Sequence, residues 1–167
     1  MPRPSKSVLI TGASGGIGRE TVQRLSGLGW QVFAGMRFPQ AGRTLFHGLD
    51  GVVPVELDVS REASLHQAHE QVAHHLAEHG LDGLINNAGL GVDGPVELVP
   101  TAASRRQFKV NVIGKIAITQ VFLPLIRAAQ GCVINIGGAA VRYGVGLETR
   151  YGLPILLRLP ERLRDRS

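Results

Sequence analysis

The stretch Thr11-Gly12-Ala13-Ser14-Gly15-Gly16-Ile17-Gly18 decides how the rest of the sequence is interpreted. It follows an apolar run over residues 8–10 and leads into a helical pattern over residues 20–25. A glycine-rich turn between a strand and a helix can seat a pyrophosphate, because unpaired N–H groups and the positive dipole end of the helix face the anion. The spacing is GxxxGxG, from Gly12, Gly16 and Gly18, and not the commoner GxGxxG. Because the chain has 22 glycines, the position of this turn between strand and helix is what makes it informative.

Length and composition indicate one globular domain. The chain has 167 residues, of which 44% are hydrophobic and 19% are charged, so it can bury a sizeable core. Its apolar runs are too short to predict a membrane span, and residues 1–11 lack the apolar core of a secretory signal. We therefore expect a cytoplasmic protein. The single Cys132 cannot form an internal disulfide, and we expect it to be buried in a strand.

The net charge of +5 raises the question of nucleic-acid binding. Residues 150–167 contain five arginines and two acidic residues, whereas residues 1–149 contain 13 basic and 11 acidic ones, so most of the excess lies in the tail. No helix-turn-helix, zinc or RNA-binding pattern accompanies this charge. We therefore predict no nucleic-acid partner.

Short apolar runs alternate with longer amphipathic stretches, as in repeated βα units with a parallel sheet. Further strands are predicted at residues 31–36, 53–59, 81–86 and 132–136. A weak helix is predicted within residues 38–51, a second one capped by Ser60, and a long one over residues 103–129. The second helix has a predicted buried stripe of Leu65, Ala68, Val72 and Leu76. It also carries clustered histidines, which we interpret as a solvent-exposed face in preference to a metal site.

Four features occur together in the order and at the distances found in one family. They are TGASGGIG at residues 11–18, Asp58-Val59 closing the third strand, Asn86-Asn87-Ala88-Gly89 closing the fourth, and Asn111 in the long helix. Together they resemble the short-chain dehydrogenase/reductase family, whose members transfer hydride between NAD(P) and an alcohol or carbonyl compound. The resemblance covers residues 6–140. The phrases VFAGMR, GLINNAG, GPVELVP and ITQVFLPLIRAA are most similar to the retinol and hydroxysteroid dehydrogenase-like branch.

The resemblance implies a Rossmann-like parallel sheet with helices on both faces and a set of cofactor-binding residues. Asp58 is placed to accept from the adenine amino group and Val59 to form an apolar wall, although Asp58 could instead be a polar residue that flanks a helix. Asn87, Ala88 and Gly89 would lie beside the ribose and nicotinamide, while Asn86 would tie strands together. The glycine turn would contribute Gly12, Ser14, Gly16, Ile17 and Gly18.

The choice between the two nicotinamide cofactors is determined at the end of the second strand. An acidic residue there would accept from the ribose 2′-OH and repel a phosphate. This chain has Met36 followed by Arg37, with no acidic residue nearby. Because Arg37 can pair with a 2′-phosphate, we favour NADP(H) over NAD(H); the alternative is that Arg37 is an ordinary solvated charge.

The catalytic part of the resemblance is incomplete. The family uses Ser, Tyr and Lys with a helical Asn, and the Lys lowers the pKa of the Tyr phenol, about 10 when unperturbed. Asn111 and Tyr151 match the Asn and the Tyr. The serine position is Gly138 and the lysine position is Ile155, while the other tyrosine, Tyr143, is followed four residues later by leucine.

We divide the chain into an NAD(P)-binding domain over residues 1–140 and a divergent basic tail over residues 141–167. Pro154 and Pro160 would interrupt the helix that the catalytic tyrosine normally begins. One hypothesis is a shifted reading frame near residue 137, which would make the chain a truncated and impaired enzyme of this family. The other is a shortened relative that binds a nucleotide or a partner without turnover. We favour the first because the pattern degrades abruptly. A small alcohol or ketone substrate is expected, and an exposed apolar sheet edge would favour homo-oligomers.

Overall fold

The computed structural model describes residues 6–92, 94 and 97–137 of the chain. Gly138, Tyr151, Ile155 and the predicted tail over residues 141–167 lie outside these described residues. The predictions made on those positions therefore stay predictions.

Strands and helices alternate along the described chain, as the sequence pattern predicts. The strands are β1 (Ser7–Thr11), β2 (Gln31–Met36), β3 (Val52–Glu56), β4 (Gly83–Asn86) and β5 (Cys132–Asn135). The helices are α1 (Gly16–Ser26), α2 (Pro39–Leu45), α3 (Glu62–Leu76), α4 (Thr101–Phe108) and α5 (Gly114–Ala128). A π-helical turn, Lys109–Ile113, joins α4 to α5.

The five strands form one parallel sheet in the order β3-β2-β1-β4-β5. Val8 of β1 pairs with Val32 of β2 on one side and with Gly83 of β4 on the other. Following the chain, β2 and β3 are added on one side of β1, and β4 and β5 are then added on its other side, so the direction reverses at β1. A sheet of this kind leaves a crevice outside the carboxyl ends of its strands at that reversal, where ligands bind. The predicted Rossmann-like fold is therefore confirmed.

Each face of the sheet has its own hydrophobic core, because alternate side chains of a strand point to opposite faces. Val8 and Ile10 lie in the core beneath α1 and α2, whereas Leu9 lies in the core beneath α3 and α5. The predicted stripe of α3 is fully confirmed, since its four residues all belong to the second of these cores: Leu65, Ala68, Val72 and Leu76.

Two local predictions were wrong. Ser60 does not cap α3, which begins after Arg61, because the Ser60 hydroxyl instead donates to Asp58 Oδ1 at 2.7 Å. Cys132 is exposed and not buried. It lies in β5, the last strand of the sheet among the described residues, where burial alternates between exposed and half-buried.

The helix that comprises α4, the π-turn and α5 spans Thr101–Ala128. By length and composition alone it could cross a membrane, and it is the one such helix in the described part of the chain. The prediction of no membrane span was made on uncharged apolar runs, and Lys115 and Arg127 bound the uncharged run of this helix, so it stays a prediction. Helices in the cores of globular proteins pass the same test, and Ile118, Phe122 and Ile126 of this helix are buried in the core beneath α3 and α5. The length of the helix is thus weak evidence for a membrane span.

Candidate dinucleotide-binding site

A cavity of about 530 Å³ opens at the carboxyl ends of β1, β2 and β4, beside the reversal of strand order. Its lining includes eight of the residues that the sequence predicts as cofactor-binding: Gly12, Ser14, Arg37, Asp58, Val59, Asn87, Ala88 and Gly89. The fold therefore brings together segments that lie up to 77 residues apart in the sequence. Gly16, Ile17 and Gly18 do not line this cavity.

The glycine turn is packed so closely that two of its residues must lack a Cβ. Gly12 has a φ of +68°, and a Cβ placed on it would lie 2.9 Å from the Ala88 Cα. A Cβ on Gly18 would overlap the carbonyl oxygen of Gly12 and lie 2.6 Å from the Asn87 Nδ2. Gly18 of α1 therefore packs against the Gly12 carbonyl, and Gly12 in turn packs against Ala88 in the loop after β4.

Thr11 joins the glycine turn to the loop after β4 through a set of hydrogen bonds. The backbone N–H groups of Asn87 and Ala88 donate to Thr11 Oγ1 at 3.0 and 2.8 Å. In return, the side-chain amide of Asn87 donates to the carbonyl oxygens of Thr11 and Gly12 at 3.0 and 3.1 Å. The amide group of Asn87 thus holds the glycine turn in place, which is a role that the sequence alone did not indicate.

The first turn of α1 is available to an anion. The residue before the helix, Gly15, has extended backbone, and no side chain caps the helix. The side chain of Ile17 is 62% exposed. The first N–H groups of an α-helix have no partner within the helix, so they require a side chain, water or a ligand. The missing side-chain cap and the glycines without Cβ suit a pyrophosphate group.

Asp58 follows β3 and is held as a carboxylate. Partial burial acts to raise its pKa, but hydrogen bonds from the Ser60 hydroxyl and backbone N–H, with the charges of Arg37 and Arg61, outweigh burial and lower the pKa below its ordinary value. The Asp58 N–H donates to Ser64 Oγ at 2.9 Å, which fixes the backbone at this point. An ionised Asp58 can accept a hydrogen bond from an amino group in the cavity.

Asn111 lies in the π-turn and does not line the cavity. Its Oδ1 accepts from the Leu90 N–H at 2.8 Å, and its Nδ2 donates to the Leu90 carbonyl oxygen at 2.9 Å. Within the described chain, the Asn111 side chain therefore secures the loop after β4. One helical turn further along, Lys115 Nζ donates to the Ile136 carbonyl oxygen at 2.7 Å, and burial lowers the pKa of Lys115.

Asn86 ties strands together, as predicted. Its amide Nδ2 donates to Asn135 Oδ1 at 2.9 Å and to Thr119 Oγ1 at 3.2 Å. The two asparagines occupy paired positions of β4 and β5. Asn86 is fully buried, and these contacts join the ends of both strands to α5.

Sequence reasoning missed several residues of the site. The cavity is also lined by Leu90 and, from the long helix, by Arg106, Lys109 and Val110. The signal that could have found the helical residues is their spacing of three and four positions, which puts Arg106 on the same helix face as the other two. Each of the three also lies within five positions of Asn111, the residue of this helix that the sequence analysis names.

Comparison with known proteins identifies a family. The family model described as short chain dehydrogenase matches residues 6–152. The 3-amino-tetrahydro-pyrrolizinone reductase of Xenorhabdus hominickii is 38% identical over 142 residues, which are 83% of this chain and 49% of that protein. Human retinol dehydrogenase 5 is 33% identical over 159 residues, 92% of this chain and 50% of the relative. The chain thus spans about half the length of these curated relatives.

A solved structure shows the same likeness in three dimensions. A carbonyl reductase from chicken fatty liver, whose structure contains bound NADPH, is 30% identical to this chain and superposes with a TM-score of 0.75. The match covers 83% of this chain and 61% of the reductase.

Proposed function

The chain belongs to the short-chain dehydrogenase family, and on that basis we propose that it binds NADP(H) and supports hydride transfer between this cofactor and a small alcohol or ketone. The observation that carries the proposal is the cavity in which the glycine turn, Arg37 and Asp58 meet. The similar carbonyl reductase with NADPH bound supports the same cofactor.

The charges of the cavity favour the phosphorylated cofactor. Arg37 directly follows β2, and the one acidic side chain among the described lining residues is Asp58, whose charge is offset by Arg37 and Arg61. A carboxylate at the end of β2 would repel a 2′-phosphate, and this position holds Met36. A guanidinium group can pair with a phosphate through two parallel hydrogen bonds.

Different residues of the chain would hold different parts of the cofactor. The first turn of α1 would hold the pyrophosphate, Asp58 would accept from the adenine amino group, and Arg37 would hold the 2′-phosphate. When bound, the nicotinamide supplies or accepts a hydride. Ala88 and Gly89, which line the cavity without large side chains, leave room for the ribose on the β4 side.

We further propose that turnover by this chain is strongly reduced. Gly138 and Ile155 occupy the positions where the family resemblance expects a hydroxyl and an ammonium group. A free phenol has a pKa of about 10, and with Ile155 at the lysine position the sequence offers no cation four residues after Tyr151 to lower it, so proton exchange near neutral pH should be slow. A second candidate function, nucleotide binding without catalysis, rests on the same two substitutions.

An assay of turnover separates these two functions. The chain would be incubated with NADPH and a panel of ketones, and oxidation would be followed by the loss of nicotinamide absorbance. A slow rate that disappears in Tyr151→Phe supports hydride transfer. A rate equal to that of Tyr151→Phe for every ketone leaves nucleotide binding as the function.

The cofactor itself is tested by titration of the chain with NADPH and NADH, with nicotinamide fluorescence as the readout. We expect NADPH to bind about tenfold more tightly, since one charge-assisted contact contributes about 1.5 kcal/mol. Arg37→Ala should abolish this difference. Arg43→Ala removes an exposed arginine of α2 that does not line the cavity, and it should leave the preference intact. A preference that survives Arg37→Ala would refute the role of Arg37.

A further inference from the structure

The wall of the cavity formed by the long helix carries cations that the predicted cofactor site does not use. Arg106 and Lys109 line the cavity together with Val110. Neither of the two cations forms an ion pair with any carboxylate of the described chain. Asp58, the carboxylate within the cavity, has its pKa lowered by Arg37 and Arg61 and not by these two cations. Uncompensated positive charge therefore faces the cavity from this side.

Contacts further along the helix show which part of the cavity this wall covers. A Cβ on Gly114 would lie 2.8 Å from the carbonyl oxygen of Val59, so the helix packs on the segment after β3. Val110 of the π-turn and Arg106 of α4 both line the cavity on the N-terminal side of Gly114. Asn111, also of the π-turn, holds Leu90 in the loop after β4. Arg106 therefore lines the same cavity as Asp58 and Val59, on a helix that contacts Val59 through Gly114.

We propose that Arg106 is a nucleotide-binding residue that contacts the adenosine half of the cofactor from the helix wall. This inference rests on the proposed function, because Asp58 and Val59 are the residues expected to receive the adenine. A guanidinium group is planar and weakly hydrated, so it can stack on an aromatic ring and can also attract a phosphate. Arg37 at the end of β2 and Arg106 on α4 then hold the adenosine half from two separate elements.

The two arginines differ in what they recognise. Arg37 serves the 2′-phosphate, which is present in NADPH and absent from NADH. Arg106 serves the adenosine common to both cofactors, so its loss should weaken both by a similar factor. The arrangement also gives the chain affinity for adenosine 5′-diphosphate, which lacks the nicotinamide half.

The test measures dissociation constants of NADPH, NADH and adenosine 5′-diphosphate for the full chain by calorimetry. Arg106→Ala should weaken all three about five- to tenfold, and Arg106→Lys should recover part of the loss through its charge. The matched control is Arg105→Ala, because Arg105 is the next residue of the same helix and lines a different groove. Arg105→Ala should change each constant less than twofold.

The outcomes separate this inference from the proposed function. Binding of NADPH that is equally insensitive to Arg106→Ala and Arg105→Ala overturns the role of Arg106 and leaves the proposed function standing. A loss confined to NADPH also overturns it, because Arg106 would then act on the 2′-phosphate alone. A wild-type chain that binds neither NADPH nor NADH refutes the proposed function and this inference with it. Thermal unfolding of each variant confirms that it is folded.

Discussion

Replacement of Gly18 by alanine tests how the glycine turn is built. The added Cβ would overlap the carbonyl oxygen of Gly12 and approach Asn87 Nδ2 to 2.6 Å. A backbone carbonyl cannot move aside as a flexible side chain can, so α1 must shift away from the turn. We expect the shift to break the hydrogen bonds that Asn87 Nδ2 donates to the carbonyl oxygens of Thr11 and Gly12.

The expected loss of stability follows from these contacts. Overpacking costs about 1–3 kcal/mol, and each of the two lost hydrogen bonds costs about 1 kcal/mol, so Gly18→Ala should destabilise the fold by about 3–5 kcal/mol. That is a large part of the roughly 5–15 kcal/mol that stabilises a typical domain. With a urea m-value of about 2 kcal/mol per molar, the midpoint of unfolding should fall by about 1.5–2.5 M.

The assay is urea unfolding followed by the fluorescence of Trp30, the one tryptophan of the chain. Two variants calibrate it. Gly16→Ala introduces a side chain at a φ of +50° with nothing within 4 Å, which should cost about 1–2 kcal/mol from backbone strain alone. Gly15→Ser places a favoured N-cap residue in extended backbone and open space, so it should be nearly neutral or stabilising.

The order of the three variants is the decisive result. If Gly18→Ala unfolds at the same urea concentration as Gly16→Ala or at a higher one, the close approach of α1 to the turn is refuted. A destabilised Gly18→Ala that still binds NADPH with wild-type affinity would refute the dependence of the phosphate site on this packing.

Three further predictions concern stability. Phe122→Ala should cost about 3–5 kcal/mol because Phe122 is fully buried, whereas Phe108→Ala, half exposed on the same long helix, should cost less than 1 kcal/mol; urea unfolding compares them. The lowered pKa of Asp58 means that its ionised form stabilises the fold above the ordinary value of 3.8, so the stability difference between the wild type and Asp58→Asn should shrink as the pH falls below about 4. Burial lowers the pKa of Lys115 from 10.5, so near that pH the unfolded chain binds more protons than the folded chain. The wild type should therefore gain stability relative to Lys115→Met as the pH rises towards 10.5. Unfolding of both proteins at several pH values measures this difference. A stability difference between wild type and variant that stays constant with pH would contradict the prediction for that residue, Asp58 or Lys115.

Most of the fold could be predicted from the sequence because its signals are local. Strand β2 was predicted with its observed bounds, since a run of apolar residues between turn residues needs no knowledge of its neighbours. The buried stripe of α3 follows from helical periodicity in the same way. Local patterns failed where a residue had competing partners, as at Ser60, whose hydroxyl binds Asp58 and does not cap α3.

Only those residues of the candidate site that belong to recognisable sequence motifs could be predicted. The glycine turn, Arg37, Asp58 and Asn87 were found because each lies at the carboxyl end of a recognisable strand, and parallel strands bring their carboxyl ends to one edge. Arg106 has no such signal, since an arginine on an amphipathic helix is usually a solvated charge. Its place in the cavity depends on the packing of Gly114 against Val59, two segments more than 50 residues apart.

The sequence by itself thus determined the family, the order of strands and helices, and the strand–turn–helix that can seat a pyrophosphate. Only the tertiary structure decided how that turn is held. Thr11 and Asn87 exchange hydrogen bonds across 76 residues of sequence, and Gly18 lies against Gly12 with no room for a Cβ. The exposure of Cys132 was likewise decided by the position of β5 in the sheet. The physical reason is that periodicity records which face of an element is apolar, whereas the neighbour that covers it is set by long-range packing.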